Sequence, residues 1–287
     1  MVGAIVEGDG MRQVRVCVLR IEGTNCEDET ARAFREVGGA PEMVHLKQLL
    51  HQCPKDMERD LEDYDILALP GGFSAGDYVR AGAIFAARLR SALSHQLKDF
   101  VRSGRPVIGI CNGFQILVEL GLLPAIETAM STEPEAALYV NDSARFECIP
   151  TLLKHENDGS CVFTRTIPKG KVVMFPSAHM EGKLMLPQGK EGGVLEKLEE
   201  RGQIVFRYVD PQGRYAGYPW SPNGSVSSIA GLCNREGNVL GLMPHPERAF
   251  YRYTHPDWTR TPTDPSGEGD GRAIFQSAVA YSRSLSR

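Results

Sequence analysis

The sequence predicts an α/β fold: a central, mostly parallel sheet flanked by helices, with an antiparallel extension in the second half of the chain. Three observations point there. Short apolar runs alternate with stretches of helical periodicity as far as Leu122. One of those runs, residues 107–110, turns at once into a helical pattern at Phe114, Leu117, Val118 and Leu122. Beyond residue 145, strand-like runs follow one another without a helix between all of them, which is the habit of antiparallel pairing.

Taken in order, residues 1–13 read as a loose leader and residues 14–287 as a single domain. Residues 14–21, rich in β-branched side chains, form a first strand. Gly23 turns the chain, and Thr24 or Asn25 is the expected N-cap of a helix to Val37 with acidic residues in its first turn. Gly38 and Gly39 end that helix. Residues 43–46 and 65–69 are the second and third strands. Residues 70–77, with Gly71, Gly72 and Gly76, leave the third strand as a glycine-rich loop, where a backbone can approach a ligand closely. Residues 81–102 are helical, with a break expected near Ser91, and Gly104 leads into the central strand.

In the second half, residues 129–144 read as a polar surface excursion. Strands are expected at 146–153, 161–167, 171–175 and 204–209, and a short helix at 195–201 stopped by Gly202. Residues 228–232 and 239–243 flank a hairpin connection at 234–238. Residues 254–271, rich in Pro, Gly, Thr and Asp, form a loop, and 273–285 a closing helix.

The 287 residues suffice for a full core, and 42% hydrophobic with 24% charged residues is ordinary for a globular chain. A net charge of −4 without a basic run argues against nucleic acid, and no apolar stretch approaches a membrane span. The N-terminus lacks a signal-peptide profile. Seven scattered cysteines without a C-x-x-C pair support neither a disulfide framework nor a zinc site, and point to a reducing cytoplasm. The glycine loop is not G-x-G-x-x-G and no Walker-type phosphate loop is present, so neither dinucleotide nor P-loop ATP chemistry is indicated. Clustered metal-ligand spacing is missing as well, so no cofactor or metal is assigned to the chain.

What remains is Gly109-Ile-Cys111-Asn-Gly113, a G-x-nucleophile-x-G elbow with sulfur as the nucleophile. A strand that reverses into a helix so tightly leaves no room for Cβ atoms beside the turn. It presents Cys111 at the positive end of a helix dipole, near backbone N–H groups able to bind an oxyanion. A buried structural cysteine is the plain alternative. A nucleophile needs a base and something to orient it. His245, in Pro244-His245-Pro246-Glu247, directly follows a strand, and Glu247 is close enough to fix its tautomer. His255 has a similar setting but follows no strand, and a general base needs a rigid platform. The order Cys, His, Glu differs from the nucleophile–acid–histidine order of α/β-hydrolases.

These motifs resemble class I, triad-type glutamine amidotransferases, which have a flavodoxin-like core. More narrowly, residues 23–30, 76–82, 141–146 and 223–231 are similar to the glutaminase subunits of phosphoribosylformylglycinamidine synthases, an enzyme of purine biosynthesis. The likeness runs from about Val14 to Arg248 and returns in the last helix. It implies Cys111 as nucleophile, His245 as general base and acid, and Glu247 as the residue orienting His245. It places oxyanion donors at the backbone N–H groups of Gly72 and Asn112, and substrate contacts at Gly71, Gln115 and the stretch around His179. It further implies glutamine as substrate, a large synthetase subunit carrying ATP and Mg, and a small bridging subunit as partners. Two other readings are a glutaminase subunit of a different synthetase and a non-catalytic protein whose elbow cysteine senses redox state.

Overall fold

The computed structural model describes residues 12–133, 135–260 and 264–285. In chain order the elements are β1 (Val14–Arg20), α1 (Glu27–Glu36), β2 (Gly39–His45), the one-turn α2 (Leu46–Leu49), β3 (Ile66–Leu69), α3 (Ala83–Arg102), β4 (Val107–Ile110) and α4 (Asn112–Glu119). Then come β5 (Ala137–Tyr139), β6 (Glu147–His155), β7 (Val172–His179), β8 (Lys183–Met185), α5 (Glu191–Glu200), β9 (Ile204–Val209), β10 (Ile229–Cys233), β11 (Val239–Leu242) and α6 (Arg272–Leu285).

Nine of these strands form one sheet in the order β2-β1-β3-β4-β11-β10-β9-β6-β7. From β2 to β11 all neighbours are parallel, and from β11 to β7 all are antiparallel. Every residue of β3, β4 and β11 is buried, as strands covered on both faces must be, which is why they read as unbroken apolar runs. Helix α1 meets α6 through the edge-on rings of Phe34 and Phe275, 5.0 Å apart, and α3 lies beside α4. Among the described residues no helix is long and apolar enough to cross a membrane.

The antiparallel half does not continue flat. Five strand spacings separate β4 from β7, roughly 24 Å in a flat sheet. Yet the Cys111 thiol points at the Ala178 carbonyl at 3.6 Å, and His245 N donates to Pro176 O at 2.8 Å. The sheet therefore curls until β7 roofs the carboxyl ends of the parallel strands.

Several expectations need correction. Cys26, without a side-chain cap, precedes α1; Thr24 Oγ1 instead accepts from Ile21 N at 3.3 Å, inside the turn. β2 starts at Gly39, because parallel pairing with β1 extends it from the Gly38 turn onward. α3 is unbroken at Ser91, its buried Leu89 and Leu93 keeping the helical stripe. Residues 129–144 are not a mere excursion: β5 pairs with β8, and Asn141 is buried. Cys161 to Thr164 and Ile167 are buried, but residues 161–167 form successive turns, closed by Thr164 N to Cys161 O and Ile167 N to Thr164 O, both near 3 Å. An apolar run guarantees burial there, not extension. The 254–271 loop holds a 3-10 turn at Trp258–Arg260; residues 261–263 lie outside the described residues, as do 1–11 of the leader. Arg12, the leader's first described residue, is ion-paired to Asp65 at 2.6 Å.

The elbow gives this fold a sharp steric test. A methyl group at Gly113 would overlap the carbonyl oxygen of Leu69 at the end of β3, and one at Gly109 the carbonyl of Gly113. Gly113→Ala is expected to destabilise the chain by at least the ~1–3 kcal/mol typical of overpacking. A urea melt reads this directly, and an unshifted midpoint would contradict the packing described.

Candidate functional site

The turns that leave β1, β3 and β4 sit side by side at the carboxyl end of the parallel sheet, where open α/β sheets bind ligands. Cys111 occupies the last of them with φ 52° and ψ −107°, a conformation that costs a non-glycine residue about 1–3 kcal/mol. The surroundings enforce it. Cys111 N donates to Leu242 O at 2.8 Å, while Phe114 N and Gln115 N donate to Cys111 O at 3.0 and 3.1 Å. The sulfur thus stands at the N-terminus of α4, where the helix dipole favours an anion.

His245 comes from the end of β11, the strand beside β4. Its Nδ1 meets Glu247 Oε1 at 2.5 Å, with both side chains buried. A carboxylate can only accept, so Nδ1 carries the proton and Nε2 is turned away from Glu247. Among the described residues, Nε2 is itself buried and without a hydrogen-bond partner. Burial acts to lower the pKa of His245. The Glu247 carboxylate, then the sulfurs of Cys111 and Cys26, outweigh it and hold the pKa well above the usual histidine value.

Gly71 shows how closely these groups converge. A methyl group there would lie 2.8 Å from His245 Cε1, 3.1 Å from Cys26 Sγ and 3.4 Å from Cys111 Cβ. The imidazole of His245, the sulfur of Cys26 and the Cβ of Cys111 are therefore packed so closely about Gly71 that no side chain fits there. His255, the rival base, lies elsewhere: its Nδ1 accepts from Asp257 N at 3.0 Å, in a cleft lined also by Met174, Pro176 and Asp270.

Among the described residues, two backbone N–H groups near the elbow, those of Gly72 and Asn112, have no backbone acceptor. Gly72 is bridged to Thr24, but the bonds that close the bridge run from Phe73 N to Gly23 O and from Asn25 N to Gly71 O. Gly72 has φ 144°, and a methyl group there would meet Asn25 N at 2.7 Å, so only glycine fits. Asn112 opens α4, and the first N–H groups of a helix have no acceptor within it.

Beneath the elbow, Asn112 Nδ2 donates to Gln115 Oε1 at 2.9 Å, and Gln115 Nε2 donates to Glu181 O at 2.6 Å. Gln115 is thus partly engaged by the protein, keeping one N–H and one lone pair for a ligand. Asn112 Nδ2 also reaches Asp77 at 3.3 Å. Burial first, and then the nearby Glu181 carboxylate, push the Asp77 pKa up to about 6. His179 closes the roof. Its Nδ1 lies 3.2 Å from Asn141 Oδ1, and Asn141 Nδ2 donates to His179 O at 2.9 Å. Burial, followed by repulsion from His245, lowers the His179 pKa to about 4, so this ring is neutral where His245 is charged.

Sequence reasoning gave no role to Cys26, Arg248, Asp77 or Asn141. Arg248 Nη2 donates to Cys26 Sγ at 3.0 Å and pairs with Glu29 at 3.1 Å, and the Cys26 thiol donates to Asn25 Oδ1 at 3.2 Å. Burial raises the pKa of Cys26, against a lowering contact from His245. One signal could have found it: Cys26 lies in the turn leaving β1, at the same sheet end as the elbow.

Comparison with known proteins follows the geometry. A profile of CobB/CobQ-like glutamine amidotransferase domains matches residues 13–282. The chain is 52% identical over 276 residues to the phosphoribosylformylglycinamidine synthase subunit PurQ of Archaeoglobus fulgidus, covering 95% of this chain and 98% of that one. It is 43% identical over 270 residues to the subunit of the same name from Picrophilus torridus, covering 93% and 100%. A solved structure of PurLQS from Thermotoga maritima superposes with a TM-score of 0.68 at 32% identity, covering 94% of this chain and 99% of that chain.

The split between the two imidazoles has a measurable consequence. His179 is neutral in the folded chain down to about pH 4, while in the unfolded chain it protonates near 6.5. The unfolded state therefore binds more protons between these values, and stability falls as pH drops from 6.5 to 4. For this buried group the loss amounts to about 3 kcal/mol. His245, with its raised pKa, is charged in both states across most of that window and adds little slope. Urea melts of His179→Asn should show a shallower acid-side loss than wild type, and an equal slope would remove this account.

Proposed function

The chain belongs to the CobB/CobQ-like glutamine amidotransferases, among the PurQ subunits of phosphoribosylformylglycinamidine synthase, and from that premise we propose that it hydrolyses glutamine at Cys111 and passes the ammonia to a synthetase. One observation carries the assignment of the chemistry to these residues: the imidazole of His245 and the side chain of Cys111 pack against the same glycine, Gly71, although they lie far apart in sequence.

The Cys111 thiolate, paired with the His245 imidazolium, attacks the side-chain carboxamide carbon of glutamine. The tetrahedral oxyanion is held by the N–H groups of Gly72 and Asn112, donors typically worth about 2.7–4 kcal/mol each in such sites. His245 gives its Nε2 proton to the departing nitrogen, so ammonia leaves and a glutamyl thioester remains. The same Nε2 takes a proton from water as its oxygen attacks the thioester. Glutamate departs, and the imidazolium–thiolate pair is restored. Glu247 keeps Nδ1 protonated throughout and stabilises the charged ring. Gln115 and the His179 stretch form the wall on which the rest of the substrate is held.

Ammonia is a nucleophile only while unprotonated, and neutral water converts nearly all of it to ammonium. It must pass directly into a synthetase. The relatives' names describe a synthase subunit, and the Thermotoga structure carries PurLQS in its name. In our reading a large subunit binds ATP and Mg, a small subunit bridges, and the acceptor is formylglycinamide ribonucleotide. Phe73, Tyr78, Val79 and Met180 are exposed, each within a few residues of a site residue, and give an apolar rim on which a partner can seat. Seven free thiols suit a reducing compartment, the cytoplasm.

Cys111→Ala is expected to reduce glutamate release to background, while the assembled complex still uses added ammonium salt for amidination. Glu247→Gln should cut kcat by about 10²–10⁴-fold and shift the pH profile toward a lower His245 pKa. Glutamate release that survives Cys111→Ala would overturn the nucleophile assignment. Loss of ammonia-dependent synthesis in the same variant would overturn the separation of the two sites.

A further inference from the structure

We propose that Asp270 is a positioning residue for the elbow chemistry: it clips the edge strand β7 to the strap that carries His245, and so holds the roof of the site at the height of Cys111. The inference rests on the glutaminase reading above and adds to it a role for the end of the 254–271 loop. Among the described residues β7 is the last strand of the sheet, so one of its edges has no strand beside it. In an antiparallel pair the N–H and C=O of one residue point to the same side, and the side alternates along the strand. Three successive outward positions of β7 are nonetheless taken up at the site. Met174 N donates to Asp270 Oδ2 at 2.9 Å, Pro176 O accepts from His245 N at 2.8 Å, and the Cys111 thiol points at Ala178 O at 3.6 Å. These positions are two residues apart, roughly 7 Å in an extended strand. The edge therefore works as a ruler, with the bearer of the imidazole at its middle and the nucleophile at one end. Asp270 fixes the other end. Pro176, which has no N–H, could not supply a second bond there.

The residues on either side show how Asp270 is held. It stands in Gly269-Asp270-Gly271. Gly269 N donates to Phe250 O and Gly271 N to Ala249 O, both at 2.9 Å, where the chain leaves the short helical turn Pro246–Ala249 that contains Glu247. A methyl group at Gly269 would overlap the carbonyl oxygen of Ala249, and one at Gly271 that of Pro246. No side chain fits at either position, so the backbone on both sides of Asp270 is pressed against the strap. The carboxylate reaches from there to β7. Its Oδ1 lies 4.0 Å from Lys171 Nζ, which leaves Oδ2 to Met174. A charged acceptor makes the stronger kind of hydrogen bond to a backbone N–H. Without it the free edge can lift from the strap, and the carbonyls of Pro176 and Ala178 then move relative to His245 and Cys111. A misplacement of about 1 Å is enough to cost about 100-fold in rate. The loop's composition hid this role, because Gly, Pro and Asp are also what a solvated turn contains.

The test compares the full-length chain with its Asp270→Ala and Asp270→Asn variants. A glutamine-like diazo ketone that alkylates the elbow thiol reads two quantities, the fraction of chains with a competent site and the rate constant at which each site reacts. Asp270→Ala should keep the labelled fraction of wild type, while its labelling rate constant and its kcat for glutamate release fall by about 10–100-fold. Asp270→Asn, whose amide oxygen still accepts from Met174 N, should recover most of both. Amide hydrogen exchange at Met174 and His245 should quicken in Asp270→Ala and stay near wild type in Asp270→Asn. Ser266→Ala, an exposed change on the same loop, should alter none of these. A merely structural role gives the opposite split, a smaller labelled fraction reacting at the wild-type rate, and that result would overturn the proposal. So would unchanged kinetics in Asp270→Ala, or an equal loss in Ser266→Ala. Should the wild-type chain release no glutamate, the glutaminase reading fails by itself. Exchange at Met174 and His245 then still decides the clip: faster exchange in Asp270→Ala upholds it, and unchanged exchange overturns it.

Discussion

A single backbone hydrogen bond, Cys111 N to Leu242 O, sets the level at which the site is built. It closes the parallel pairing of β4 with β11, where Val107 to Ile110 face Val239 to Leu242 one for one. The nucleophile candidate follows its strand by one residue and the imidazole follows its own by three, so the two leave neighbouring strands at nearly the same height. Side chains in a strand alternate between faces, and a slip of one residue would carry the elbow away from the histidine. The strain stored at Cys111 is tolerable because both strands are buried in the core and cannot shift.

That level surface would be an open ledge without the antiparallel half. Curling brings β7 over it, so that Ala178 and Pro176 supply carbonyls to Cys111 and His245, and His179 closes the far wall. Two functions are thereby divided between two halves of one sheet. The parallel half delivers groups on rigid strand ends. The antiparallel half removes them from water, which strengthens each charge interaction between them. Asn141 shows the coupling: its side chain bonds His179 and Gly182 together, and it hangs from a segment that pairs β5 with β8.

What the sequence revealed follows from the range of the forces involved. The elbow was legible because its constraints act within five residues: two glycines, a strand before and a helix after. His245 was legible because a strand end and an adjacent carboxylate are local too. Cys26 was not, since nothing local distinguishes it from the other buried cysteines. Its meaning arises from Gly71 and His245, brought to it by the order of strands. Residues 161–167 misled for the opposite reason. Cys161, Val162 and Phe163 are all buried, but beneath turns tied to Gly237, where burial and extension part company. Residues 129–144 misled because polar side chains such as Asn141 are buried as bridges rather than exposed.

The two buried histidines show how one environment assigns opposite roles to the same side chain. Desolvation alone would make both neutral, since it disfavours the charged form of each. Glu247 reverses that for His245 because a carboxylate brings a full charge. Asn141 cannot do so for His179 because an amide brings only a dipole. Once His245 is charged, it repels a second charge nearby and pushes His179 further toward neutrality. The pair is therefore self-consistent: one ring can carry a proton to and from a reacting atom, and the other stays a neutral wall. Groups whose pKa values are driven apart in this way mark where acid–base chemistry is assigned. Here the division follows from which of two short polar side chains, a carboxylate or an amide, the fold sets against each ring.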